Sequence, residues 1–316
     1  MTLSIGIDVG GTKVLGGVVD ESGNILETLR LETPREGGAA LTQTIGDVAK
    51  QLLAKHPAKS VGISAAGLVS SDRRTMLATP NIADWNGAPL GDQLSELIGL
   101  PVVLENDANA AAWGEARFGA GNGAADLLLI IVGTGIGGGI LLNGEIYRGA
   151  YGVAAEIGHM RVVPEGHLCG CGARGCYEQY ASGTAMLRHA REAISASPDL
   201  ARNLLARGDG TVHGLTGTHI TEAAKAGDNV ALAALNTTGQ WLGAGISSLS
   251  MILNPSIVVI SGGAIAAGEL LLAPAREMAL RKLPFRNKHP ECTIVAATLG
   301  NQAGLVGASD LARQRS

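Results

Sequence analysis

Three thiols and an imidazole fall within one short stretch: His159, Cys169, Cys171 and Cys176, spaced H-x9-C-x-C-x4-C. That donor set suits a closed tetrahedral Zn²⁺ with no position left open, hence a structural metal. The plainer alternative is a few buried cysteines beside an unrelated histidine, and the glycine-rich polar loop around them argues against it. His167, two residues before Cys169, competes for the fourth place. Cys292 sits in an apolar stretch and reads as inert core. Glu156 and Glu178 flank the loop. If a metal folds it back, they converge with His159 as acceptors for hydroxyl groups; otherwise each is an ordinary surface charge.

Two glycine turns and one polar cluster carry further chemistry. In Asp8-Val9-Gly10-Gly11-Thr12-Lys13 the glycines let backbone N–H groups approach an anion, Thr12 adds a hydroxyl, Lys13 a charge, and Asp8 a carboxylate for Mg²⁺. It is not a Walker A loop, which needs Gly-Lys-Ser/Thr opening a helix; a bare glycine hairpin is the alternative. Gly133-Thr134-Gly135-Ile136-Gly137-Gly138-Gly139 contains G-x-G-x-x-G. A dinucleotide fold needs that motif to open a helix, and residues 140–144 read as a strand and a hairpin turn, so NAD is rejected and phosphate binding kept. In Glu105-Asn106-Asp107-Ala108-Asn109, polar groups follow a buried strand, where α/β proteins hold ligands. Asp107 suits accepting a hydroxyl proton and Asn106 bonding both ways to a polyol, although spacing alone favours helix capping.

The elements that must position these groups follow from the apolar pattern. Residues 3–8, 14–20 and 25–31 read as a strand meander, 39–55 as a helix, 60–64 as a strand, 89–98 as a helix, 102–105 as a buried strand and 107–118 as an alanine-rich helix. A second meander begins at 126–132, returns at 139–142 and turns at Asn143-Gly144. Residues 5–25 and 130–146 repeat one unit: strand, glycine turn, strand, turn, strand. Two such units are expected to face each other across a cleft. Residues 184–253 read as mostly helical, with a long helix over 231–253. Strands follow at 257–260, ending in Ser261-Gly262-Gly263, and at 293–297; a helix spans 301–314.

Composition bounds the answer. At 316 residues with 46% hydrophobic content, about two folded domains are expected. A net charge of −4 argues against a whole-chain nucleic-acid binder, and 3% aromatics leaves little to stack on bases. The longest apolar run, 127–142, is glycine-broken and short of the ~20 residues of a membrane helix. No basic n-region or cleavage site opens the chain, so a cytoplasmic location is expected.

Together IGIDVGGTK, ENDANAAAWGEARFG, GTGIGGG, AEIGHM, CGCGARGCYEQYASG and VVISGG resemble the ROK family of bacterial sugar kinases over the whole chain, nearest its actinobacterial-type glucokinase branch. The resemblance implies a two-domain α/β actin-like (ribonuclease-H-like) ATPase fold. The active-site cleft would lie between an N-terminal domain, 1–117 with 301–316 packed back on it, and a larger domain, 118–300. It implies transfer of phosphate from ATP to the 6-hydroxyl of glucose, with Mg²⁺ and a structural Zn²⁺ on His159, Cys169, Cys171 and Cys176. It gives Asp107 the role of base, and Asn81, Asn106, Asp107, Glu156, His159 and Glu178 the sugar. Asp8, Gly10, Gly11, Thr12, Lys13, Thr134 and Gly135 take the phosphates, and Gly262 and Gly263 the nucleotide; His159 serves metal and sugar together. Ser64-Ala65-Ala66-Gly67 departs from the Gly-Pro-Gly-like segment of many members, which leaves mannose, N-acetylglucosamine, N-acetylmannosamine or fructose as alternative acceptors and polyphosphate as an alternative donor. Family repressors carry a helix-turn-helix before the first strand; here that strand starts at residue 3, so neither nucleic acid nor membrane is an expected partner. A homodimer or homotetramer is.

Overall fold

Apolar residues alternating around glycine-rich turns fold the start of the chain as a meander. The computed structural model describes residues 2–80, 82–284, 288 and 291–315. Strand β1 (Ser4–Val9) pairs antiparallel with β2 (Lys13–Val19), and β2 with β3 (Ile25–Glu32). β1 is buried on both faces, whereas β3 alternates half-buried and exposed residues, as an edge strand should. Helix α1 (Gly38–Leu53) buries Leu41, Ile45, Val48 and Leu52. Then come β4 (Val61–Ala65), the short β5 (Leu68–Val69) and β6 (Met76–Ala78), α2 (Leu90–Ile98), β7 (Val102–Asn106) and α3 (Asp107–Phe118). β4 runs parallel to β1, and β7 to β4, giving the order β3-β2-β1-β4-β7.

The second half repeats this plan. Strands β8 (Leu127–Val132), β9 (Ile136–Leu142) and β10 (Glu145–Ile146) precede helices α4 (Glu178–Ala181), α5 (Gly183–Ala196), α6 (Arg202–Leu205), α7 (Gly217–Lys225) and α8 (Asn229–Leu253). β11 (Ile257–Ser261), α9 (Glu269–Lys282), β12 (Thr293–Ala296) and α10 (Ala303–Arg313) complete the chain's regular elements. The order β10-β9-β8-β11-β12 is that of the first sheet: a meander in reverse, then two later strands. The internal repeat is thus a repeat of sheet topology. Asn143 and Gly144, both at positive φ (52° and 79°), turn β9 into β10 as a two-residue hairpin.

Three features depart from the expected elements. β9 begins at Ile136, not 139, because its glycines are strand residues on which a helix lies: a Cβ on Gly139 would sit 2.5 Å from Ala112 Cβ and 2.7 Å from the Ala108 carbonyl oxygen. The β5–β6 hairpin and α9, which carries Pro274 within it, had no distinct apolar period. The two compact units also differ from a division at 117/118: one comprises 1–129, 139–155 and 297–316, the other 130–138 and 156–296. The second meander is shared, its return strand joining the first unit through Gly139 on α3.

Within the first unit α10 closes on the sheet through glycines. Gly6 and Gly62 are register partners on β1 and β4, and a Cβ on either would overlap the α10 backbone, at the carbonyls of Leu305 and Ala308 respectively. On its other side, a Cβ on Gly307 would overlap the Ala110 carbonyl of α3. Backbone cannot move aside as a side chain can. Gly62→Ala is therefore expected to destabilise the fold by about 3 kcal/mol or more, read as a lower urea midpoint; an unchanged midpoint would mean that α10 shifts freely.

Candidate functional site

Asp8 lies at the C-terminal end of β1, opposite Ser64 of β4, whose Oγ donates to Asp8 Oδ1 at 2.9 Å. Burial pushes the Asp8 carboxyl above its ordinary range; the Ser64 bond opposes this, the negative charge of Asp107 adds to it, and Lys13 opposes it. Asp8 is thus a half-buried carboxylate of a kind suited to Mg²⁺. The β1–β2 turn is fixed by Gly10 N–H to the Lys13 carbonyl (2.9 Å) and by Thr33 Oγ1 to the Gly10 carbonyl (2.7 Å). Gly11 and Thr12 are exposed, and a Cβ on Gly11 would meet nothing within 4 Å, so the space over this turn is open to a ligand. Beside it is a cavity of about 750 Å³ lined by Gly10, Thr12, Ala65, Ala66, Asp84 and Trp85.

At the strand end of β7 the structure shows the capping weighed from spacing. Asn106 caps α3, its Oδ1 accepting from Asn109 N–H at 3.0 Å, while its Nδ2 donates to the Gly67 carbonyl (3.0 Å) and to Asp107 Oδ1 (3.1 Å). Asp107 is the first residue of α3, and its Oδ1 also accepts from Ala108 N–H at 2.9 Å. Burial raises the Asp107 carboxyl above the usual carboxylate range, against the pull of these donors. Asn81 lies outside the described residues.

In the second unit the β8–β9 turn closes with Gly133 N–H to the Gly135 carbonyl at 3.0 Å and continues into a strand, not a helix, so it is no dinucleotide fingerprint. The start of α5 is tied to it: Gly183 N–H donates to the Gly133 carbonyl (2.8 Å) and Thr184 Oγ1 to the Thr134 carbonyl (2.7 Å). A cavity of about 590 Å³ opens here, lined by Gly133, Thr134, Thr184, Met186, Thr218 and Gly263. Gly262, at φ 91°, is packed on the Val132 backbone. The walls from α5 and α7, including Met186, Thr218 and Thr221, escaped sequence reasoning because they lie on ordinary amphipathic helices.

The cysteine loop forms one cluster. The donor atoms of His159, Cys169, Cys171 and Cys176 all lie within 4.8 Å of one another, and His167 is not among them; its ring packs on Tyr180 at 5.3 Å. Ligands around zinc at about 2.3 Å (sulfur) and 2.05 Å (nitrogen) would stand about 3.8 Å apart sulfur to sulfur and about 3.6 Å sulfur to nitrogen. Cys171 and Cys176 are 3.7 Å apart, and Cys169 Sγ is 3.6 Å from His159 Nδ1. The residues fit a structural Zn²⁺, with Nδ1 as the imidazole ligand and Nε2 left for another partner. Burial pushes the Cys169 thiol up to about 12. That thiol donates to Glu178 Oε1 at 2.8 Å, and a Cβ on Gly135 would sit 2.5 Å from Glu178 Oε2. Glu178 thus links the cysteine loop to the glycine turn. Glu156 precedes the same turn of backbone as His159, whose N–H donates to the Glu156 carbonyl at 3.1 Å. Cys292 is half-buried rather than core, 3.5 Å from Ser250 Oγ, because β12 starts only at the following residue.

The sequence model of the ROK family matches residues 4–315. A glucokinase of Streptomyces coelicolor is 48% identical over 314 residues, covering 99% of this chain and 98% of that one. An N-acetylmannosamine kinase of Yersinia pseudotuberculosis is 30% identical over 322 residues, with 99% of each chain covered. Among solved structures, a ROK family glucokinase from Streptomyces griseus, in complex with glucose and AMPPNP, is 49% identical, covers 99% of each chain and superposes with a TM-score of 0.87.

Proposed function

The chain belongs to the ROK family, and on that premise we propose that it transfers the γ-phosphoryl group of ATP to the 6-hydroxyl of glucose. Its two sheets of one strand order are the two-domain α/β, actin-like fold of the family's kinases. The observation that carries the reading is the strand end at β7, where Asn106 and a half-buried Asp107 stand together at a helix N-terminus, in a chain 49% identical to an enzyme solved with glucose and an ATP analogue.

Asp107 is assigned the proton. Its Oδ1 is held by Ala108 and Asn106, which leaves Oδ2 to orient the 6-hydroxyl. O6 bonds to the γ-phosphorus as the bond to the bridging oxygen of ADP breaks, and the hydroxyl proton passes to Asp107 late in that step. Asn81, Asn106, Glu156, His159 and Glu178 are assigned to the sugar's other hydroxyls. Gly10 to Lys13 and Thr134-Gly135 are assigned to the phosphates, and Gly262-Gly263 to the nucleotide beside Met186 and Thr218. When bound, Mg²⁺ held through Asp8 supplies charge neutralisation at the β- and γ-phosphates. The same reading has the enzyme working in the cytoplasm as a homodimer or homotetramer, testable by light scattering; no helix among the described residues is long and apolar enough to cross a membrane.

The test is a coupled assay with Mg-ATP and a panel of hexoses, each beside a sugar-free control. Glucose is expected to lead in kcat/KM. N-acetylmannosamine or mannose in the lead would move the acceptor while keeping the kinase; no turnover on any sugar would overturn the reading.

A further inference from the structure

Glu105 is the one member of the Glu105-Asn106-Asp107 run to which phosphoryl transfer gives no role, yet it is only 1% exposed and fully engaged. Its Oε2 accepts from Arg148 Nε at 2.9 Å and Nη2 at 2.5 Å; its Oε1 accepts from the Asn106 N–H and from Asn109 Nδ2, each at 3.2 Å. A carboxylate buried this deeply is costly unless paired and hydrogen-bonded, and replacing the whole set with apolar packing would hold a strand end as well. What apolar packing does not supply is direction. The four bonds fix the backbone of Asn106, the Asn109 side chain one turn further on, and a guanidinium plane in fork geometry.

Arg148 carries the constraint onward. Its carbonyl accepts from Ala154 N–H at 3.1 Å, and Gly152 in the same segment is packed against the Val69 and Ser70 backbone, so residues 148–155, which lead directly into Glu156, form a tethered loop that starts at the paired arginine. β7 is an edge strand, and its open side is covered by this arrangement: Leu104 N–H donates to the carbonyl of Arg73 (3.1 Å), a residue at φ 64°. The Arg73 guanidinium is buried with Nε unpartnered, and it is held down to about 10 by burial first and Arg148 second. A second guanidinium therefore stands close to the Glu105–Arg148 pair.

We propose that the Glu105–Arg148 pair is a positioning device: it sets the aim of Asn106 and of the Asp107 carboxyl, and ties to that aim the segment entering Glu156. This rests on the glucose-phosphorylating reading above. Arg148→Lys is the sharpest probe, because it keeps the charge and loses the fork. Arg148→Met, Glu105→Gln and the two combined form a cycle.

The measurements are kcat, KM for glucose, KM for ATP and melting temperature, with wild type in parallel. Arg148→Lys is expected to lose about tenfold in kcat and to raise KM for glucose. KM for ATP should stay unchanged, since the hydrogen bonds of the pair run to Asn106, Asn109, Ile146 and Ala154 and to none of the residues assigned to the nucleotide, and the melting temperature should stay close to wild type. The double variant is expected to be no worse than the poorer single. Wild-type kcat in Arg148→Lys, losses that simply add, or a lowered melting temperature with full kcat per folded molecule would each overturn the proposal, the last by making the pair merely structural. Should Glu105→Gln fail to fold, Arg148→Lys decides alone. A wild type inactive on every hexose would overturn the functional reading and the device with it; an active wild type with unaffected variants overturns the device only.

Discussion

Asp107→Asn is expected to lower kcat by at least ~100-fold while glucose still binds. The replacement is nearly isosteric. Its remaining oxygen can still accept from Ala108 N–H and lie beside Asn106, so the α3 N-terminus keeps its geometry. The other position becomes an amide, which donates where the reaction needs an acceptor. Positioning survives and proton acceptance does not, so a rate near wild type would remove Asp107 from the mechanism. The pH profile checks the same group independently. Burial raises the Asp107 carboxyl above its ordinary value of about 3.9. Only the ionised form accepts a proton, so kcat is full above the raised value and falls as pH drops through it. The acid limb of kcat should therefore lie above the usual aspartate range, and the residual rate of Asp107→Asn should lack that limb.

Removing the metal should be the next largest effect. One zinc per chain is expected by elemental analysis of purified protein, and none in Cys176→Ser. That variant should raise KM for glucose at least about tenfold and lower the melting temperature by several degrees, because a closed zinc site contributes directly to folding. The route to the sugar is short. His159 offers one ring nitrogen to the cluster and Glu178 touches Cys169, so the two groups assigned to hydroxyls are aimed by the loop that the cluster closes. The cavity assigned to the nucleotide has no cysteine in its lining, and nucleotide affinity should change least. Full glucose affinity in a demonstrably zinc-free sample would separate the metal from the sugar site.

The groups readable from sequence were those whose chemistry is local. Cysteine spacing within a single loop announces a metal cluster, and the burst of polar residues after the apolar Val102–Leu104 run marks a strand end. The repeated turn glycines disclose two meanders whose sheets share one order. What stayed hidden depends on encounters between distant segments. Glu105 and Arg148 are 43 positions apart, and nothing in either neighbourhood announces the other. Asn106 and Asp107 both suit a helix cap because capping is a local motif, and Asn106 makes it. Gly137 and Gly138 fall outside the return strand read at 139–142 because flexibility is the usual meaning of glycine, whereas β9 takes them in and the small size of Gly139 admits a helix. α9 was missed since Pro274 and its mixed apolar pattern mask a helix held by packing on α8.

The glycine-lined seat of α10 bears on how the protein is made. Trp113 Nε1 donates to Asp310 Oδ2 at 2.9 Å across 197 positions, and the α10 backbone rests directly on β1, β4 and α3. As the chain leaves the ribosome, the first sheet and α3 emerge early with an apolar face uncovered, and the helix that belongs there is translated only after the whole 156–296 segment. The second unit can therefore mature first, while the earlier-born half waits, exposed and in need of protection from aggregation, until the last helix arrives.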